Sequence, residues 1–157
     1  MQEVGVRFLS TRTVGYDHID LAYARKIGIH IGNATYASES VADYTIMLIL
    51  MALRKMKLIL QSAVSQDYSF DAVLGSNLKG KTLGVIGTGA IGQTLIRHIA
   101  GFGCRILAYN PHPRKEMEQY VTYVDLNTLY QNSDIITLHV PLNDATYHLL
   151  NEAAFAG

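Results

Sequence analysis

The chain has 157 residues, 49% hydrophobic and 17% charged, a composition that suits one or two small globular units with a packed core rather than a disordered chain. Basic and acidic side chains balance at 13 each, so there is no net positive charge to release counterions from a nucleic-acid backbone. Cys104 is the single cysteine, which excludes an internal disulfide framework and favours a reducing, cytoplasmic setting; no CxxC or HExxH spacing supplies a metal site.

In chain order, "VRFLS" (6–10) predicts a short buried strand, "DHIDLAYARKIG" (17–28) a helix closed by Gly28, and "IHI" (29–31) the start of a second strand. Strand, helix, strand is a βαβ unit with parallel strands. "SVADYTIMLILMALRKMKLILQSAV" (40–64) opens with a capping-box spacing from Ser40 to Asp43 and predicts one long helix. It is apolar nearly all round, so it is expected to be buried. Its apolar window, 45–53, is interrupted by "RKMK" well short of the roughly 20 residues of a membrane span, and no signal-peptide pattern precedes it. Arg54, Lys55 and Lys57 read as a solvated helix face. The following "SQDYSFDAVLGSNLKGK" (65–81), with a turn signature at Gly75, Ser76 and Asn77, reads as a linker or arm.

From residue 81 the pattern alternates: strand "TLGVIG", a helix from about Ala90 to about Phe102, strand "RILAYN", strand "YVTYV", helix "DLNTLYQN" and strand "DIITLHV". The fold class is therefore α/β, with an incomplete Rossmann-type doubly wound parallel sheet. The expected division is residues 1–37 as part of a first domain, 38–78 as linking helix and arm, and 79–157 as the Rossmann unit.

Gly87, Gly89 and Gly92 form G-T-G-A-I-G between an apolar strand and a helix. Each glycine has its own task in a dinucleotide site: a tight turn, close approach of backbone to the pyrophosphate, and close packing of helix on strand. The helix N-terminus then offers free N–H groups to the anion. Gln93 stands where a Walker A loop needs its lysine, and no tyrosine is followed by lysine four residues on, so triphosphate and short-chain dehydrogenase chemistries are disfavoured. The ribose-binding position at the end of the second strand is filled by Asn110. An amide can bond a ribose diol but repels no 2′-phosphate, and Arg114 and Lys115 follow closely. NAD is the preferred cofactor, with NADP open as an alternative; Asn110 also reads simply as the start of the Pro111 turn.

Through "STRTVGYDHIDL", "SVADY", "GVIGTGAIGQ", "GFGCRILAYNP" and "DIITLHVPLNDATYHLL", the chain resembles the D-isomer-specific 2-hydroxyacid dehydrogenases, and among them the D-lactate dehydrogenase branch. The likeness implies a flavodoxin-like substrate domain joined to a Rossmann NAD domain, with homodimers formed through the latter. It implies cofactor contacts from Gly87, Thr88, Gly89, Ala90, Ile91, Gly92, Tyr109, Asn110, His139, Val140, Pro141 and Thr146. It also implies substrate contacts from Val14, Gly15 and Tyr36, the first two through backbone N–H groups on the substrate carboxylate. The substrate class is a small 2-keto or 2-hydroxy acid, such as pyruvate and D-lactate.

Reduction of a keto acid needs a proton donor and a fixed cation. In the family an arginine, a glutamate and a histidine serve, and their motifs fall beyond Gly157, as the family's opening strands fall before Val6. No residue of this chain is therefore expected to be catalytic, and the chain reads as a piece of such an enzyme. A non-catalytic dinucleotide-binding or dimerisation module, and a relict without biochemical role, are the alternatives.

Overall fold

The computed structural model describes residues 1–34, 37–69 and 74–156. The chain divides into two compact units, Met1–Ala37 with Pro141–Leu149, and Ser38–Val140 with Leu150–Gly157.

In the first unit, strand β1 (Phe8–Thr11) pairs in parallel with β2 (His30–Asn33) across helix α1 (Leu21–Lys26). Helix α1 is shorter than its pattern predicts, because Asp20 caps it by accepting from the Tyr23 N–H at 2.8 Å. Gly28, with φ +74°, ends it in the left-handed conformation that glycine adopts without strain. The expected burial of the first strand is not met: Phe8 is 64% exposed, and only Thr11 of β1 is buried.

The second unit opens with α2 (Ser38–Leu53) and α3 (Met56–Val64), where the sequence predicts one continuous helix. The break falls at Lys55, whose φ of +53° puts a non-glycine residue in the left-handed region. A later segment crosses the end of α2: the Ser76 N–H donates to the Leu53 carbonyl at 2.9 Å, and a Cβ on Gly75 would lie 2.8 Å from both that carbonyl oxygen and Arg54 Cα. The last turn of α2 is thus satisfied from outside the helix, and the chain is free to turn. The predicted Ser40 to Asp43 capping box is not formed either, since the helix starts two residues earlier and Asp43 faces His98, with Oδ1 2.9 Å from Nδ1. Nor is the segment buried all round: Ala42 and Ile49 are buried, whereas Tyr44, Met47, Leu48, Leu58, Ile59 and Leu60 are exposed. The basic cluster lies at and just beyond the break rather than along one helix face.

The remainder is a four-stranded parallel sheet built from β3 (Thr82–Ile86), β4 (Arg105–Tyr109), β5 (Thr122–Tyr123) and β6 (Ile135–Leu138), in the order β5-β4-β3-β6. That is the strand order of one half of a doubly wound fold plus the strand that opens its second half. Alternation along β3 sends Leu83 and Val85 into a core shared with Leu95, Ile96 and Ile99 of helix α4 (Ala90–Ile99) and with Ala42 and Ile49 of α2. Gly84 faces the other way, where a Cβ would strike Leu129 of helix α5 (Leu126–Asn132) at 2.7 Å. Asp125 caps α5 by accepting from the Thr128 N–H at 2.9 Å. A short helix α6 (Glu152–Ala156) follows. The chain leaves β3 toward α4 on one side of the sheet and enters β6 after α5 on the other. The carboxyl ends of β3 and β6 therefore mark the point where strand order reverses, which is where open α/β sheets hold ligands.

Candidate dinucleotide-binding site

At that reversal point stands the 87–92 loop. Gly87 has φ +96°, and a Cβ there would come within 2.5 Å of the His139 carbonyl oxygen and 2.8 Å of Val140 Cγ1. The tight turn and the close approach of two strand ends therefore both require glycine. A Cβ on Gly92 would collide with the Gly87 carbonyl oxygen, so α4 sits directly against the turn. Gly89 is different: a Cβ there meets nothing within 4 Å. It is the N-cap of α4, with no side-chain cap, and the N–H groups of the helix's first turn have no intrahelical acceptor. An open glycine surface in front of a helix N-terminus suits the close approach of a pyrophosphate, so these residues fit a dinucleotide.

The loop is fixed by bonds that converge on Thr88, which is fully buried. Its N–H donates to Asn110 Oδ1 at 3.1 Å, its carbonyl accepts from Gln93 Nε2 at 3.0 Å, and its hydroxyl accepts from the Tyr123 hydroxyl at 3.1 Å. Gln93 is steadied in turn by Arg97, at 3.2 Å. Sequence reasoning noticed Gln93 only for the lysine it replaces and missed Tyr123 altogether. Asn110 has a second bond, from Nδ2 to the His112 carbonyl at 2.7 Å. Asn110 thus begins the turn and also closes the glycine loop, a second role that the sequence does not announce. Tyr109 ends β4 half-buried, and its carbonyl accepts the Gly87 N–H at 2.8 Å.

His139 donates its backbone N–H to the Ile86 carbonyl at 2.8 Å, joining the ends of β6 and β3. Its Nε2 lies 3.0 Å from Thr137 Oγ1, and burial pushes its imidazole below the usual histidine pKa. The structure thus brings together 87–92, Tyr109, Asn110, His139 and Val140 in one unit. Pro141 and Thr146 belong to the other, where the Thr146 hydroxyl donates to the Pro141 carbonyl at 2.5 Å and accepts the Asn143 N–H at 2.9 Å.

The proposed carboxylate loop follows β1. The Val14 carbonyl accepts from Asn33 Nδ2 at 2.8 Å and the Gly15 carbonyl from the Thr13 hydroxyl at 2.7 Å. These bonds hold the loop by its carbonyls and leave both N–H groups without a protein acceptor among the described residues. Tyr36 lies outside the described residues. Among those described, no group of three or more His, Cys, Asp and Glu side chains gathers to hold a metal, and no helix is long and apolar enough to cross a membrane.

Residues 46–157 match the family model of the D-isomer specific 2-hydroxyacid dehydrogenase NAD binding domain. The chain is 45% identical over 97% of its length to a D-specific alpha-keto acid dehydrogenase of Enterococcus faecalis, covering 46% of that protein. It is 39% identical over 99% of its length to a D-lactate dehydrogenase of Escherichia coli, covering 48%. It superimposes with a TM-score of 0.88 and 37% identity on a D-lactate dehydrogenase from Aquifex aeolicus, solved with NAD and lactic acid, matching 96% of this chain and 46% of that one. The chain thus spans about half the length of the relatives it matches. With a Rossmann-type sheet, a glycine loop at its reversal point and a family model over most of its residues, the chain belongs to the D-isomer-specific 2-hydroxyacid dehydrogenases and carries their NAD-binding domain.

Proposed function

We propose that this chain forms the cofactor-holding part of a D-2-hydroxyacid dehydrogenase that interconverts a small 2-keto acid and its 2-hydroxy acid, with pyruvate and D-lactate as the substrate pair. The observation that carries the reading is Gly89, open to solvent at the head of α4 between two glycines that admit no side chain. When bound, the nicotinamide would carry the hydride, NADH giving it to the keto acid and NAD+ taking it back from the hydroxy acid. The N–H groups of Ala90 and Ile91 hold the pyrophosphate, and Asn110 with Tyr109 forms the wall beside the adenosine ribose. Gly87, His139 and Val140, which meet where β3 and β6 end, would pack against the cofactor. Pro141 and Thr146 shape the segment after β6, the N–H groups of Val14 and Gly15 receive the substrate carboxylate, and Tyr36 serves as a pocket residue for the substrate. His139 is given a cofactor-packing role rather than a proton-transfer one, at the end of β6 where burial favours its neutral ring.

The division into a partial substrate domain at 1–37, a linking segment at 38–78 and a partial NAD domain at 79–157 is part of the same proposal, as is a cytoplasmic location. So is a homodimer through α2 and α3, which leave the apolar side chains of Met47, Leu48, Leu58 and Leu60 exposed in the single chain. Sedimentation of the purified chain tests the dimer: a monomer at micromolar concentration overturns it. For the cofactor, NADH is titrated into the chain and nicotinamide fluorescence is followed, with Gly89→Asp as control. Saturable binding lost in the control is the expected outcome, and a folded chain that binds no NADH overturns the reading.

A further inference from the structure

We infer that the adenosine end of this site admits a 2′-phosphate, so that the chain takes NADP(H) alongside NAD(H), with Arg114 as the specificity-determining side chain; this rests on the dinucleotide reading above. In dinucleotide folds a carboxylate after the second strand accepts the ribose hydroxyl and repels a 2′-phosphate, whereas a nearby arginine accommodates it. Here the position is neutral. Asn110 directs Oδ1 to the Thr88 N–H and Nδ2 to the His112 carbonyl, so its role in closing the loop is complete without a charge.

The turn that follows carries three exposed groups able to face an anion: His112, Arg114 and Lys115. Among the described residues, ion pairs form only between Lys81 and Asp134 and between His98 and Asp43, so neither Arg114 nor Lys115 is neutralised within the protein. Glu116 and Glu118, the nearest acids along the chain, pair with neither. Arg114 is also anchored. Its backbone N–H donates to the Tyr123 hydroxyl at 3.1 Å, and that hydroxyl donates to Thr88 Oγ1 at 3.1 Å. One phenol therefore ties the main chain of Arg114 to the glycine loop and sets the root of its guanidinium beside the ribose wall. A guanidinium presents several donors in a planar fork that matches phosphate, and a charge-assisted contact of this kind corresponds to about a 10- to 100-fold change in affinity.

The test measures dissociation constants for NADH and NADPH on the same chain at low and high salt, by nicotinamide fluorescence. The expected result is NADPH within tenfold of NADH, with the NADPH constant the more sensitive to salt. Arg114→Ala, at an exposed position, should weaken NADPH about tenfold or more and leave NADH within about twofold. Asn110→Asp should shift preference the same way by adding a like charge. NADH binding with NADPH more than tenfold weaker overturns the inference. So does a ratio that Arg114→Ala leaves unchanged. A folded chain that binds neither nucleotide overturns the dinucleotide reading and this inference with it.

Discussion

Gly89→Asp should make the protein more stable and its cofactor site useless. The backbone of Gly89, at φ −72° and ψ −166°, is open to any L-residue, and a new Cβ meets nothing within 4 Å. Aspartate is a better N-cap than glycine by a few tenths of a kcal/mol, and an acid at a helix N-terminus adds about 0.3–1 kcal/mol. The free chain should therefore gain about 0.5–1 kcal/mol, a rise in Tm of roughly 1–4 °C for a domain of this size. The same carboxylate stands where the pyrophosphate must come. Like charges about 4 Å apart repel by about 4 kcal/mol at an effective dielectric near 20, and even half of that weakens binding by roughly 30-fold. Thermal unfolding without ligand and NADH titration should thus move in opposite directions. An affinity within threefold of the parent chain, or a Tm lowered by several degrees, would refute the reasoning that Gly89 is the open face of an anion site.

Gly92→Ala should do the reverse of a clean binding mutant: its methyl overlaps the Gly87 carbonyl, so urea unfolding should show a loss of about 1–3 kcal/mol with no ligand present. Tyr123→Phe removes two hydrogen bonds and leaves the buried Thr88 hydroxyl without its donor, for a loss of about 1–3 kcal/mol in the same assay; an unchanged unfolding midpoint would show that the phenol does not brace the loop. Lys55→Gly relieves a left-handed lysine at the break between α2 and α3, and should raise stability by about 1 kcal/mol, seen as a higher Tm. His139 is held below the usual histidine pKa of 6.5, so its neutral form is favoured in the fold and the unfolded chain takes up the proton first. Its contribution to stability should be intact above pH 6.5 and fade as pH falls through the folded pKa. A His139→Gln variant should lose less stability than the parent chain between pH 7.5 and 5.5 in urea unfolding.

The parts of this structure legible in the sequence are those decided by near neighbours. The strand-to-helix junction at 86–90 is marked by glycines, Asp125 caps α5 three residues before Thr128, and Gly28 ends α1, each within one turn of the chain. The break at Lys55 carries no such mark, because no glycine or proline stands there. It is set by residues 75 and 76 returning over the end of α2, and hydrophobic periodicity carries no information about that crossing. Tyr123 was missed for the same reason: β5 is only two residues long, and the partners of its phenol are Thr88 and Arg114. The expectation of a fully buried helix at 40–64 failed because apolar composition alone does not say which face is covered.

A glycine-rich turn by itself is a weak sign of dinucleotide binding; what the ring of side chains around Thr88 adds is a fixed shape. Gln93, Asn110 and Tyr123 each satisfy a different polar group of that buried residue, so the loop reaches its shape before any ligand arrives. The arrangement also separates two demands on position 110. Closing the loop needs only an acceptor for the Thr88 N–H, which amide and carboxylate both provide. Selecting between ribose and 2′-phosphoribose depends on charge, in which the two differ. An asparagine there keeps the loop closed while withdrawing the repulsion that an acid would exert, and its Nδ2 also donates to the His112 carbonyl, a bond that an acid cannot make.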